Sequence, residues 1–234
     1  MAKRSVSVRL SQADMRDLVS VWAEQAREQP GLFADLTAPA AHEKWVAPLL
    51  GESVLGIDPS LTGFAICQHV PGRELYEGRW PSKPAKGVRE RCDRYERLVR
   101  GTLQLVIAHQ PGLILIEGYA YSHGAQHGHH DVIELGGVLR FELSRRTTCP
   151  IIEVAPSTLK KFTTGDGKAP KPFMVSELAK RYQRRFTTDD QADAFALCQL
   201  GLALTGQLPP PSTKAERTYL QGLRKGYGLK EVGA

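Results

Sequence analysis

The carboxylates of Asp58, Glu117, Asp190 and Asp193 stand where a folded chain has little structural use for them. Asp58 closes the apolar run Val54-Leu55-Gly56-Ile57 just ahead of a Pro59–Gly63 turn, and Glu117 closes a second run, Leu113-Ile114-Leu115-Ile116, just ahead of Gly118. An ionised carboxylate at the end of a buried strand costs on the order of several kcal/mol unless a cation or other partners compensate. For Asp58 taken alone, a turn aspartate capping its own backbone accounts for the residue equally well. Asp190 and Asp193 lie three residues apart in DDQADAFAL, Asp189 to Leu197, and so share one face at the start of a helix. Ala194, Leu197, Leu200 and Gly201 continue nearly that stripe, which is expected to face the core and to turn Asp193 inward beside a sheet. Stabilisation of the helix dipole explains Asp189 but not an acid on the inward face. Four carboxylates delivered by two strand ends and one helix offer hard oxygen ligands to Mg²⁺ or Mn²⁺. Two such ions a few ångströms apart activate a water and stabilise the leaving oxygen in phosphodiester hydrolysis.

A basic segment accompanies the acids. The chain carries a net charge of +6 with a pI near 9.2. Within Thr158–Arg185, eight lysines and arginines stand against only Asp166 and Glu177. That is an electrostatic footprint for phosphates, although a solvated helix face explains Lys180 to Arg185 as well.

The elements that must position these groups follow from periodicity. Val54–Ile57 and Phe64–Cys67 read as a hairpin around the Pro59–Gly63 turn, and about 74–80 as a third strand. A helix over about 87–109 is broken by Pro111 and Gly112, after which strand 113–116, a helix over about 131–146, strand 151–154 and a last helix over about 190–204 follow. Three antiparallel strands and then helix-strand-helix-strand-helix predict an α/β protein, with a mixed five-stranded sheet flanked by helices, over residues 53–206. Residues 1–52 read as a small, mostly helical extension of strand, helix and helix. The pattern weakly resembles a ribbon-helix-helix DNA binder, and a packing arm on the main domain explains it too. After Gln207, three prolines make a stiff break before a basic tail, 207–234, with a faintly amphipathic stretch at Tyr219, Leu220 and Leu223. Such a tail either contacts phosphate, docks on a neighbouring subunit or stays solvated.

Composition excludes several classes. With 234 residues and 41% hydrophobic content the chain can build a core. Its apolar runs fall short of the ~20 residues of a membrane helix, and Met1–Leu10 lacks the apolar region of a signal peptide, so a cytoplasmic protein is expected. Cys67, Cys92, Cys149 and Cys198 form no C-x-x-C pair, which argues against a zinc site or a disulfide framework. Gly167-Lys168 lacks the glycine spacing of a phosphate loop, and no G-x-G-x-x-G follows a strand. The actin and sugar-kinase superfamily opens with a similar Asp-containing hairpin but needs a second such lobe, for which there is neither repeat nor length.

The motifs GIDPSLTG at Gly56–Gly63, IEGYAY at Ile116–Tyr121, and DQADAFAL at Asp190–Leu197 resemble those of RuvC-type Holliday junction resolvases, the phage-like branch most nearly. The stretch APSTLKKFTTGDGKAPK, Ala155 to Lys171, resembles the family in place and spacing. The resemblance implies an RNase H-like fold, a homodimer, and Mg²⁺-dependent symmetric nicking of four-way DNA junctions. It implies Asp58, Glu117, Asp190 and Asp193 as metal ligands and Lys160 and Lys171 as the residues nearest the scissile phosphate, with Lys161 and Lys168 as further DNA contacts. The run Ser122–His130 departs from the pattern. Tyr119 or Tyr121 beside it stacks on an unpaired base or else packs in the core. His123, His127, His129 and His130 lack acidic or cysteine partners and read as a backbone-contacting or interface loop rather than a metal site. Other branched DNA, an RNA–DNA hybrid, or structure-specific binding without cleavage are the alternatives to junction resolution.

Overall fold

The computed structural model describes residues 53–119, 129–209 and 213–229. The strand-helix-helix extension expected over 1–52, Tyr121 and His123 to His127 lie outside these residues. Strands β1 (Val54–Asp58), β2 (Phe64–His69), β3 (Tyr76–Trp80), β4 (Leu113–Glu117) and β5 (Ile151–Val154) form one mixed sheet in the order β3-β2-β1-β4-β5. β1 pairs antiparallel with β2 and parallel with β4, as the expected order of elements requires.

Alternation along each strand sends residues to two cores. Leu55, Ile57, Phe64, Ile66, Ile114 and Ile116 pack under α1 (Val88–His109) and α2 (His129–Arg146). Val54, Ala65, Cys67, Leu113, Leu115 and Val154 pack under α5 (Asp189–Leu204). By the same alternation Asp58 and Glu117 belong to the α5 face. They are adjacent there, because the parallel register pairs Ile57 with Ile116 one residue earlier.

Two glycines let α5 lie directly on the sheet. A Cβ on Gly56 would stand 2.4 Å from the Ala194 carbonyl oxygen and 2.6 Å from the Cys198 nitrogen. A Cβ on Gly201 would meet Val54 Cγ1 at 2.4 Å and Leu115 Cδ1 at 2.6 Å. This close approach brings the first turns of α5 to the carboxyl end of β1.

The sequence led us to expect an apolar stripe on α5, but the helix is buried on all sides from Ala192 to Leu204. Its outer side is covered by the basic segment, which folds as α3 (Pro156–Thr164) and α4 (Lys171–Tyr182), and by α6 (Lys214–Gly226). Leu159, Met174, Leu178 and Leu220 from these helices join the α5 core. Residues 213–229 are therefore docked on the domain and not a solvated tail. Helix α6 starts in a capping box between Thr213 and Glu216, and Tyr219 Oη donates to the Thr158 carbonyl at 3.1 Å. Arg224 donates through Nε to the Leu204 carbonyl and through Nη2 to the Ala203 carbonyl, each at 2.8 Å. These carbonyls end α5, where a cation is favoured.

Candidate active site

Asp58, Glu117 and Asp193 each place a carboxylate oxygen within 4.8 Å of the others. Asp58 and Asp193 are only 5% and 3% exposed, so this is a buried concentration of negative charge at the floor of an open cleft of about 430 Å³. Lys160, Lys171, Tyr119, Asp190 and Pro156 line the same cleft.

The electrostatics follow from burial. Asp58 is held well above the usual carboxylate range, first by desolvation and then by the charges of Glu117 and Asp190. Lys171 and the backbone N–H of Ser60 act in the opposite direction. Glu117 is raised for the same first reason, with Lys171, Lys160 and a hydrogen bond to Asp58 opposing it and Asp190 adding to it. Without a cation, the hydrogen-bonded pair is disposed to retain a proton.

Asp193 has two different oxygens. Oδ2 is ion-paired with Lys171 Nζ, while Oδ1 is buried without a hydrogen-bond partner among the described residues. A buried carboxylate oxygen with no donor, facing two more carboxylates, fits a hard divalent cation. Among the described residues, these three are the group able to hold a metal ion.

The fourth predicted ligand is placed differently. Asp190 lies at the rim, outside this trio, with Oδ2 at 3.7 Å from Arg79 Nε on β3. Gly63 makes room for it, since a Cβ there would fall 2.0 Å from Asp190 Oδ2. Sequence reasoning missed Arg79. Its signal lay in the strand register, because Asp58 pairs with Ala65 and Ala65 with Arg79, which puts the arginine in the same cross-strand row as the buried acid.

Of the predicted lysines, Lys160 and Lys171 line the cleft, whereas Lys161 and Lys168 do not. Lys161 Nζ lies 4.8 Å from the centroid of the Tyr219 ring, and Lys168 is exposed on the α3–α4 turn, where its N–H donates to Asp166 Oδ1 at 2.9 Å. Part of the positive charge of the segment is also used internally. Arg184 pairs with Glu77 and covers the Phe195 ring, and Arg181 donates to the Thr163 carbonyl at 3.2 Å. Tyr119 lines the cleft with the Arg140 guanidinium carbon 4.4 Å above its ring.

An α/β sheet with this strand order and a carboxylate centre at the carboxyl ends of β1 and β4 has the RNase H-like fold. No protein-family model matches the chain. It is 29% identical over 152 residues to the crossover junction endodeoxyribonuclease RuvC of Protochlamydia amoebophila (strain UWE25), covering 62% of this chain and 86% of that protein. It is 28% identical over 162 residues to the protein of the same name from Synechococcus sp. (strain CC9311), covering 65% and 96%. Among solved structures, Thermus thermophilus RuvC superposes with a TM-score of 0.52 at 19% identity, over 66% of this chain and 96% of that one. A structure titled as the same protein in complex with Holliday junction substrate gives 0.51 at 16% identity, over 63% and 90%. The chain is thus similar to RuvC proteins in sequence and shares their fold.

Proposed function

We propose that this protein is a divalent-metal-dependent endodeoxyribonuclease that resolves four-way DNA junctions by paired phosphodiester hydrolysis. The observation that carries this reading is the convergence of Asp58, Glu117 and Asp193 beside Lys160 and Lys171 in one cleft. The two RuvC relatives, named for crossover junctions, and the fold shared with a junction-bound RuvC support it.

Asp58, Glu117 and Asp193 would hold Mg²⁺, or Mn²⁺ in its place, with Asp190 closing the site from the rim. The metal would supply an acidified water and charge stabilisation at the phosphate. The chain's own residues do the rest. Lys171, ion-paired with Asp193 and about one-third exposed, would offer its charge to a phosphate oxygen in the cleft. Lys160 approaches the same phosphate from α3 and offsets its developing charge. Tyr119 offers a flat face at the edge of the cleft for an unpaired base.

Paired cuts need two such centres, and the described residues of one chain provide one. We therefore read the active form as a homodimer. The solvent side of α2 supports this, since it exposes Ile133, Val138 and Phe141 along one helix.

The test is Mg²⁺-dependent cleavage of a synthetic mobile four-way junction by wild type and Asp193→Asn, beside linear duplex, a splayed fork and an RNA–DNA hybrid. Paired symmetric nicks confined to the junction and lost in the variant are expected. Cleavage mainly of fork or hybrid would reassign the substrate, and tight junction binding without cutting in either metal would refute the nuclease.

A further inference from the structure

We infer that Arg140 is a positioning residue for the carboxylate centre, holding the backbone of Glu117 and the ring of Tyr119 with a single guanidinium. The inference rests on the nuclease reading above for its consequence, but not for its geometry.

Arg140 reaches from α2 across the end of β4. Its Nη2 donates to the Glu117 carbonyl at 3.1 Å, its Nη1 to Tyr119 Oη at 3.1 Å, and its Nε to Glu153 Oε1 at 2.6 Å. The same guanidinium lies over the Tyr119 ring, and Tyr119 Oη donates to the Ile133 carbonyl at 3.2 Å. Four contacts thus join β4, β5, α2 and the cleft aromatic through one planar group.

The need for it arises from the sheet. Gly118 N–H donates to the Val154 carbonyl at 2.8 Å, and β5 ends at Val154, so the ladder stops at the residue that carries the carboxylate. Alternate residues of β4 face opposite neighbours, so the Glu117 carbonyl is turned toward β1, where Pro59 has no N–H to give, and Arg140 supplies the donor. A lysine cannot do this in the same way, because three fixed directions are used at once and an ammonium has no planar fork.

Gly136, one helical turn before Arg140, is shaped to this arrangement. A Cβ there would lie 2.6 Å from Arg140 Nη1 and 2.7 Å from Tyr119 Oη. Both atoms end flexible side chains, so an added methyl displaces the network rather than the helix. Groups that orient a metal ligand typically change metal affinity or activity by about 10–100-fold when removed.

The experiment uses the full chain as wild type, R140K, R140Q and G136A. Free Mn²⁺ is followed by electron paramagnetic resonance without DNA, with the melting temperature of the metal-free protein and junction-cleavage kcat and KM measured beside it. Each variant is expected to bind Mn²⁺ about tenfold more weakly and to lose more in kcat than in KM, while melting within a few degrees of wild type. Wild-type Mn²⁺ affinity in R140K and R140Q would overturn the assignment and leave the nuclease reading intact. Weakened Mn²⁺ binding in the variants of a wild type that never cuts would do the reverse. A wild type that binds no Mn²⁺ would overturn both. Should the arginine variants fail to fold, G136A decides, since it keeps the arginine and improves helix propensity; wild-type affinity there refutes the positioning role.

Discussion

Lys171 Nζ and Asp193 Oδ2 form an ion pair between the first residue of α4 and the fifth residue of α5, with the lysine side chain about one-third exposed and the aspartate side chain buried. The asymmetry matters. The cation can leave for solvent or phosphate, whereas the carboxylate cannot leave the floor of the cleft. Lys171→Ala should therefore cost the metal-free protein about 1–3 kcal/mol, the penalty for a buried group left without its partner. Mg²⁺ should restore most of that stability without restoring cleavage. Thermal melts in chelator and in Mg²⁺ check the first half, and single-turnover junction cleavage the second. An unchanged melting temperature in chelator would show that Asp193 finds other compensation.

The pair Asp58 and Glu117 sets a pH dependence whose sign is fixed. Both folded-state pKa values are raised, so between the ordinary carboxylate range and the raised values the folded chain binds more protons than the unfolded one. Stability from these groups is then full at low pH and is lost as pH rises through that window. A bound cation removes the penalty on the ionised form. The expected result is a Mg²⁺-induced rise in melting temperature that grows as pH rises above the ordinary carboxylate range. A rise independent of pH would mean that the cation does not bind at these carboxylates.

Gly56→Ala tests how the site is assembled. The added methyl would meet the Ala194 carbonyl and the Cys198 nitrogen, which are helix backbone and cannot swing aside. Overpacking of this kind costs about 1–3 kcal/mol, and here the upper end is expected. Relief requires lifting α5 from β1, which separates Asp193 from Asp58. Cleavage should therefore fall further than stability does, and a stable variant with full activity would show that the centre tolerates a looser helix.

The order of elements and the three acids of the buried trio were legible because strand ends and apolar runs are local signals. Asp58 and Glu117 each close such a run, and Asp193 interrupts one. What was not legible is non-local. The pairing of Asp190 with Arg79 depends on a three-strand register, and the use of Arg184 on Glu77 joins residues on β3 and beyond α4. Counting charge in the basic segment could not separate Lys160, which turns into the cleft, from Lys161, which turns onto Tyr219. Helix α5 also misled the periodicity reading, because a helix buried on every side carries no polar face to mark its orientation.

Arg224 provides the last test, because it distinguishes a docked helix from a basic tail. Its guanidinium satisfies the Ala203 and Leu204 carbonyls, and Leu220 on the same helix is buried against the α5 core. If α6 served only to attract DNA, Arg224→Ala would weaken junction binding in a salt-dependent way and leave the melting temperature unchanged. The structure leads to the opposite expectation. The variant should lose about 1–2 kcal/mol from two charge-assisted hydrogen bonds and the favourable charge at the helix end. Truncation after Gln207 should cost more, since it uncovers the outer side of α5 as well. Urea unfolding of both proteins, read beside the salt slope of junction binding, separates the two roles: a shift confined to the slope would return α6 to the DNA, and a shift confined to stability places it in the core that holds Asp193 in position.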